Sequence, residues 1–104
     1  MDDLPVVAKR LRQARERAGI SQRQLGIKAG IGPETAASAR MNNYERGRSE
    51  PAFAVLERLA KVLGVPLPYF YARDDVLAEI ILRVGELSLN RRGDLLRNLS
   101  KGGK

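Results

Sequence analysis

The chain has no cysteine and no histidine among its 104 residues. Without cysteine there is neither a disulfide framework nor a thiolate metal site. Without histidine, most zinc sites, the Ser-His and Cys-His nucleophiles and the usual general base at neutral pH are excluded as well. The carboxylates do not gather into one plausible pocket, so the sequence argues against an enzyme and predicts no catalytic residue, cofactor or metal. Long apolar runs are missing too. No stretch approaches the roughly 18 consecutive apolar residues of a membrane span. The N-terminal stretch is dense in arginine and lacks the apolar centre of a signal peptide. The expectation is a cytoplasmic chain with no membrane partner.

Positive charge is what the chain has in excess, formally +7, and it points to an anionic partner. Its distribution is uneven. Residues 9–28 hold seven bases against the single acid Glu16. In residues 73–86 the balance reverses, with Asp74, Asp75, Glu79 and Glu86 against Arg73 and Arg83. Residues 91–104 are basic again. This layout suggests a basic face with a neutral to acidic body behind it. The length suits one helical core that needs no staple.

Leu4, Val7, Leu11, Ala14 and Ala18 recur at helical spacing. They predict a first helix ended by Gly19, with Asp3 as N-cap and Pro5 in the first turn. Ser21 and Gln24 predict a capping box for a second helix, Ile20 and Leu25 a hydrophobic staple, and Gly30 a left-handed C′ residue. Gly26 inside that helix costs about 1 kcal/mol relative to alanine, which close approach to another helix explains best.

A third helix is expected from near Gly32-Pro33, with the proline at N1, to Gly47. Ala37, Met41 and Tyr44 mark its inner side, and Ser38, Arg40, Asn42 and Asn43 point partly or wholly outward. A fourth follows Pro51, carries Phe53, Leu56, Leu59, Ala60 and Leu63, and stops at Gly64. Residues 65–71 suit one short turn that docks Leu67, Phe70 and Tyr71 on the core. Past Asp74-Asp75, an apolar stripe over residues 76–87 predicts a sixth helix, and Ser88 caps a seventh carrying Leu89, Leu95, Leu96 and Leu99. The predicted class is all-α, divided as 1–73, a helical extension 74–100 and a frayed tail 101–104.

The order and spacing of these pieces over residues 7–70 resemble the Xre/lambda-repressor-like helix-turn-helix family of bacterial and phage transcriptional regulators. The stretches that carry the likeness are residues 11–25 (LRQARERAGISQRQL), 29–31 (AGI), 44–51 (YERGRSEP) and 59–65 (LAKVLGV). The resemblance implies a compact five-helix DNA-binding domain, here with an additional C-terminal helical segment, whose second and third helices form the DNA-reading pair. It also implies a structural ion pair of Arg15 with Glu45, tying the first helix to the end of the third. One departure is clear: more residues separate Ile31 from Glu45 than in the common family frame. A smaller branch, with T/S-A-S-A-R-x-N-x-Y-E-x-G in this place, looks similar. Anchored backwards from Tyr44-Glu45-Arg46-Gly47, the base-reading positions fall at Ser38, Ala39 and Asn43. The extra residues then form a longer turn and a helix extension at residues 32–35.

On that frame Arg40 and Asn43 lead the base-reading candidates, which also include Ser38, Ala39 and Asn42. Arginine pairs with guanine and asparagine with adenine, each for roughly 1–3 kcal/mol of discrimination. A phosphate contact competes for Arg40 and a solvated surface for Asn42. Gln22, Arg23, Arg46 and Arg48 form the phosphate-binding set, the first two at a helix N-terminus with free N–H groups. Arg10, Arg12 and Arg17 read as a solvated face, and the residue 69–71 aromatics as core. The implied function is a sequence-specific double-stranded DNA-binding regulator at the nucleoid, a repressor that binds an inverted repeat as a homodimer. The competing class is an antitoxin-like or adaptor module that holds a protein partner through its C-terminal helices. The stripe in residues 76–99 exceeds what five helices need, and fits a partner, a dimer or packing on its own domain.

Overall fold

Six α-helices and one 3₁₀ turn make up the computed structural model, which describes residues 3–102 and contains no strand among them. The first helix, α1 (Val6–Ala18), begins one residue after Pro5, which is its N-cap at ψ 149° and offers no side-chain cap. Proline disfavours helical geometry in the residue before it, so Leu4 stays outside the helix. Asp3 therefore lies too far upstream to be the expected N-cap. Gly19, left-handed at φ 72°, closes the helix.

Ser21 caps α2 (Gln22–Lys28) with both halves of the box: Gln24 N donates to Ser21 Oγ at 3.0 Å, and Ser21 N to Gln24 Oε1 at 2.9 Å. Gly26 meets α3 (Glu34–Glu45) backbone to side chain. A Cβ built on it would stand 2.8 Å from Ala37 Cβ and 3.0 Å from Ala37 O, so only glycine lets the two helices cross this closely. Pro33 is the N-cap of α3, one position earlier in the motif than the expected N1.

Leu56, Leu59 and Ala60 bury the inner face of α4 (Phe53–Leu63). Phe53 heads that helix 58% exposed, so its core stripe starts at Leu56 and not at the phenylalanine. The following 3₁₀ turn (Leu67–Tyr71) buries Tyr69 and Phe70. Side chains repeat every three residues in such a turn, which puts Leu67 and Phe70 on one side and turns Tyr71 outward, against the expectation that it docks on the core.

Leu11, Leu25, Met41, Leu56, Leu59 and Phe70 are fully buried, so α1 to α4 and the 3₁₀ turn each contribute to one centre. Ala78 and Leu82 of α5 (Asp75–Gly85) belong to the same core. The last helix, α6 (Leu89–Gly102), buries nothing. Arg91 N donates to Ser88 Oγ at 3.2 Å at its start. Lys101 and Gly102 are still helical, where a frayed tail was expected. Residues 103 and 104 of that expected tail lie outside the described residues.

Arg10 overturns its reading as a solvated residue. It is 2% exposed. Its Nε donates to Ala72 O at 2.8 Å, Nη2 to Arg73 O at 3.1 Å and Nη1 to Gln13 Oε1 at 2.8 Å. Nη2 also lies 2.9 Å from Asp75 Oδ1. Arg10 stands i+3 from Val7 and i−4 from Ala14, which is the spacing of an inward position. It anchors the segment entering α5 to α1, and Arg17 adds a 3.4 Å ion pair to Glu79. The Arg10 hydrogen bond, and then the nearby Lys9, hold the Asp75 carboxyl below its ordinary pKa.

Replacing Arg10 by methionine leaves two backbone carbonyls without a donor. It should cost about 2–4 kcal/mol in denaturant unfolding. Asp75→Asn should cost less, because its carboxylate faces solvent. A depressed folded-state pKa stabilises above the unfolded value and loses that contribution as pH falls through the folded value. The stability gap between wild type and Asp75→Asn should therefore close on acidification; a gap that persists below the carboxylate range would contradict this role.

Candidate nucleic-acid interface

The carboxylate of Glu45, 4% exposed, sits where α1, α2 and α3 converge. Arg15 grips it from α1, donating from Nε to Oε2 at 2.6 Å and from Nη2 to Oε1 at 3.0 Å. Arg15 Nη1 also donates to Ile20 O at 3.0 Å, in the bend between α1 and α2. Gln22 Nε2 donates to Glu45 Oε1 at 3.1 Å and to Asn42 Oδ1 at 3.3 Å. Arg46 Nε reaches the same Asn42 oxygen at 3.4 Å. The hydrogen bond to Glu45 raises the Arg15 pKa, with burial opposing it. Among the described residues no buried side-chain nitrogen or oxygen is left without a partner.

With its inner side fixed, α3 presents the opposite side to solvent. Thr35, Ala39, Asn42, Asn43 and Arg46 follow one another at i, i+4, i+7, i+8 and i+11, and so fall on one stripe. Thr35, Ala39 and Arg46 are exposed, and Asn42 and Asn43 are half-buried. Ser38 and Arg40, both exposed, flank the stripe on its two sides. Arg40 folds back toward the turn before α3, where a Cβ on Gly32 would lie 3.1 Å from its guanidinium carbon.

The expected base-reading group is thus brought together, but its members differ in freedom. The Asn42 side-chain oxygen is engaged by Gln22 and Arg46, whereas Asn43 makes no side-chain hydrogen bond among the described residues. Of the expected phosphate group, Gln22 is turned inward to Glu45, Arg23 lies 3.5 Å from Glu34, and Arg46 and Arg48 are exposed. Thr35 was overlooked as a member of the stripe, although its place four residues before Ala39 was a readable signal. The Gln22–Asn42 bond had none, since it depends on two helices meeting.

Residues 7–68 match the family model of the helix-turn-helix domain. The chain belongs to that family. It is similar to the HTH-type transcriptional regulator ImmR of Bacillus subtilis (strain 168), 31% identical over 70 residues that cover 67% of this chain and 51% of ImmR. It is also similar to a putative multi-protein-binding factor 1 of Yarrowia lipolytica (strain CLIB 122 / E 150), 33% identical over 61 residues, 59% of this chain and 37% of that protein. The chain thus spans about half of the first relative and little more than a third of the second. The crystal structure of transcriptional regulator BswR superposes with a TM-score of 0.84 at 47% identity, covering 90% of this chain and 92% of that one. This last likeness reaches beyond residue 68 into the C-terminal helices. The described chain is all-α and carries an Xre-like helix-turn-helix domain, the domain type of the transcriptional regulators it resembles. No helix among its described residues is long and apolar enough to cross a membrane.

Removing one partner of the central pair strands a buried charge. Glu45→Ala and Arg15→Ala should each cost about 3–5 kcal/mol in denaturant unfolding. The double variant should cost clearly less than their sum. Additive losses would mean that the two groups are not coupled.

Proposed function

We propose that the protein is a repressor that binds an inverted-repeat operator as a homodimer and reads bases with the outward face of α3. The observation that carries this reading is the solvent-facing stripe of Thr35, Ala39, Asn43 and Arg46, braced from behind by the Gln22–Asn42 bond. In a helix-turn-helix the second helix lies in the major groove and the first crosses the backbone. Asn43, with a free amide, pairs with adenine, and Arg40 swings away from Gly32 to pair with guanine. Ser38 bonds a base edge, Ala39 packs on a thymine methyl, and Asn42 contacts the groove while it holds Gln22 and Arg46. Gln22 through its backbone N–H at the start of α2, and Arg23, Arg46 and Arg48 through their side chains, meet phosphates and set the register.

Two copies related by a two-fold axis place their α3 helices about 34–36 Å apart, one turn of duplex. Residues 1–73 act as the DNA-binding unit and residues 74–100 as the extension that joins the copies, on nucleoid DNA in the cytoplasm. Bound across a promoter, such a dimer represses by occupying the site. The exposed leucines of α6 favour one second reading, an adaptor that holds another protein through its C-terminal helices.

Selection from random duplexes should return a palindromic motif, with log affinity falling linearly in log salt at a slope of about −0.9 per neutralised phosphate. Asn43→Ala should relax choice at one base position in each half-site, a loss of about 1–3 kcal/mol on the preferred operator. Arg48→Ala should weaken all sequences alike. A flat salt dependence with no enriched motif would overturn the reading in favour of the adaptor.

A further inference from the structure

The helix α6 packs on little, with only Gly93 and Leu95 even half-buried. Leu89, Leu96 and Leu99 stand 80%, 64% and 62% exposed, and none of its residues is buried. At i, i+7 and i+10 these leucines share one face. A helix of this length is marginal in water without tertiary packing. The neighbouring helix has the complementary deficit. Its inner face, Ala78 and Leu82, is in the core, while Val76, Ile80 and Val84, at i, i+4 and i+8, line an open apolar groove flanked by Asp75, Glu79 and Arg83.

The two stripes match in length and in charge. At 1.5 Å per residue, Val76 to Val84 spans about 12 Å and Leu89 to Leu99 about 15 Å. Across residues 74–86 four acids oppose Arg83, and across α6 Arg91, Arg92, Arg97 and Lys101 oppose Asp94. Within one chain the two faces do not meet. Arg92 donates to Val84 O at 3.1 Å and to Gly85 O at 2.9 Å, which fixes the start of α6 at the end of α5, and α6 then leaves the core without packing along α5.

We propose that two copies exchange α6, the leucine face of each basic helix lying in the apolar α5 groove of the other. This rests on the homodimer reading above. The contact occurs twice about one axis and closes on itself, as a two-fold interface requires. Because α5 is bound to α1 through Arg10–Asp75 and Arg17–Glu79, the exchange fixes the separation of the two α3 helices instead of leaving it to a flexible linker.

The test uses the full chain with Ile80→Lys in the groove and Leu96→Glu on the leucine face, both at exposed positions. Light scattering and analytical ultracentrifugation give the mass, and circular dichroism checks that each variant remains helical. Wild type should be a dimer, and each variant alone should dimerise about tenfold more weakly or worse. Mixing the two variants should restore the dimer as a heterodimer, with one Lys–Glu junction and one wild-type junction. If Leu96→Glu leaves the dimer intact while Ile80→Lys breaks it, the α5 faces meet each other; the exchange falls and the homodimer reading stands. A mixture that stays monomeric overturns the exchange as well. A monomeric wild type overturns both and leaves the groove to a different protein.

Discussion

Glu45 carries its negative charge into a site only 4% exposed to solvent, and a charge placed there persists only while its partners hold it. Two of the hydrogen bonds it accepts come from Arg15 on α1 and one from Gln22 on α2. A single carboxylate therefore fixes the end of α3 against two other helices. The direction of the whole outward stripe follows, because a rigid helix pinned at its C-terminal end and pressed on Gly26 near its middle has little freedom to roll. Asn42 extends the same network to Arg46, so the interior of the motif and its surface are mechanically continuous.

The helix α1 is the element both halves of the molecule share. Leu11 and Ala14 enter the core, Arg15 reaches α3, and Arg10 and Arg17 reach the segment that begins α5. Arg10 is a buried charge of the opposite sign to Glu45, and it is stable for the same reason: backbone carbonyls, Gln13 and Asp75 satisfy its donors. The cleft of about 300 Å³ beside it is lined by these ion pairs. Its charges are already matched, so it reads as a joint between helices.

What was legible in the sequence is what depends on neighbours along the chain. The Ser21–Gln24 box, the left-handed Gly30 and the helix ends at Gly19 and Gly64 follow from local geometry. Gly26 was legible because a glycine inside a helix has no local reason to be there and so points to a close neighbour. The family frame placed α3 despite its longer approach, because Tyr44-Glu45-Arg46-Gly47 anchors its far end. What escaped depends on tertiary meeting. Arg10 reads as surface until Ala72 and Arg73 are brought to it from more than sixty residues away. The partial occupation of Gln22 and Asn42 is invisible until α2 and α3 cross. Phe53 and Tyr71 are apolar by type but sit at the start and end of their elements, where the pattern runs past the core.

Mapping backbone amide shifts by NMR as a specific duplex is added tests the central claim most directly, namely that α3, braced by Glu45, carries the DNA-reading face. The largest changes should fall at Thr35, Ala39, Asn43 and Arg46 and at the first turn of α2, with the interior signals of Met41 and Leu59 nearly unmoved. Changes centred on α5 and α6, with the α3 stripe silent, would contradict it.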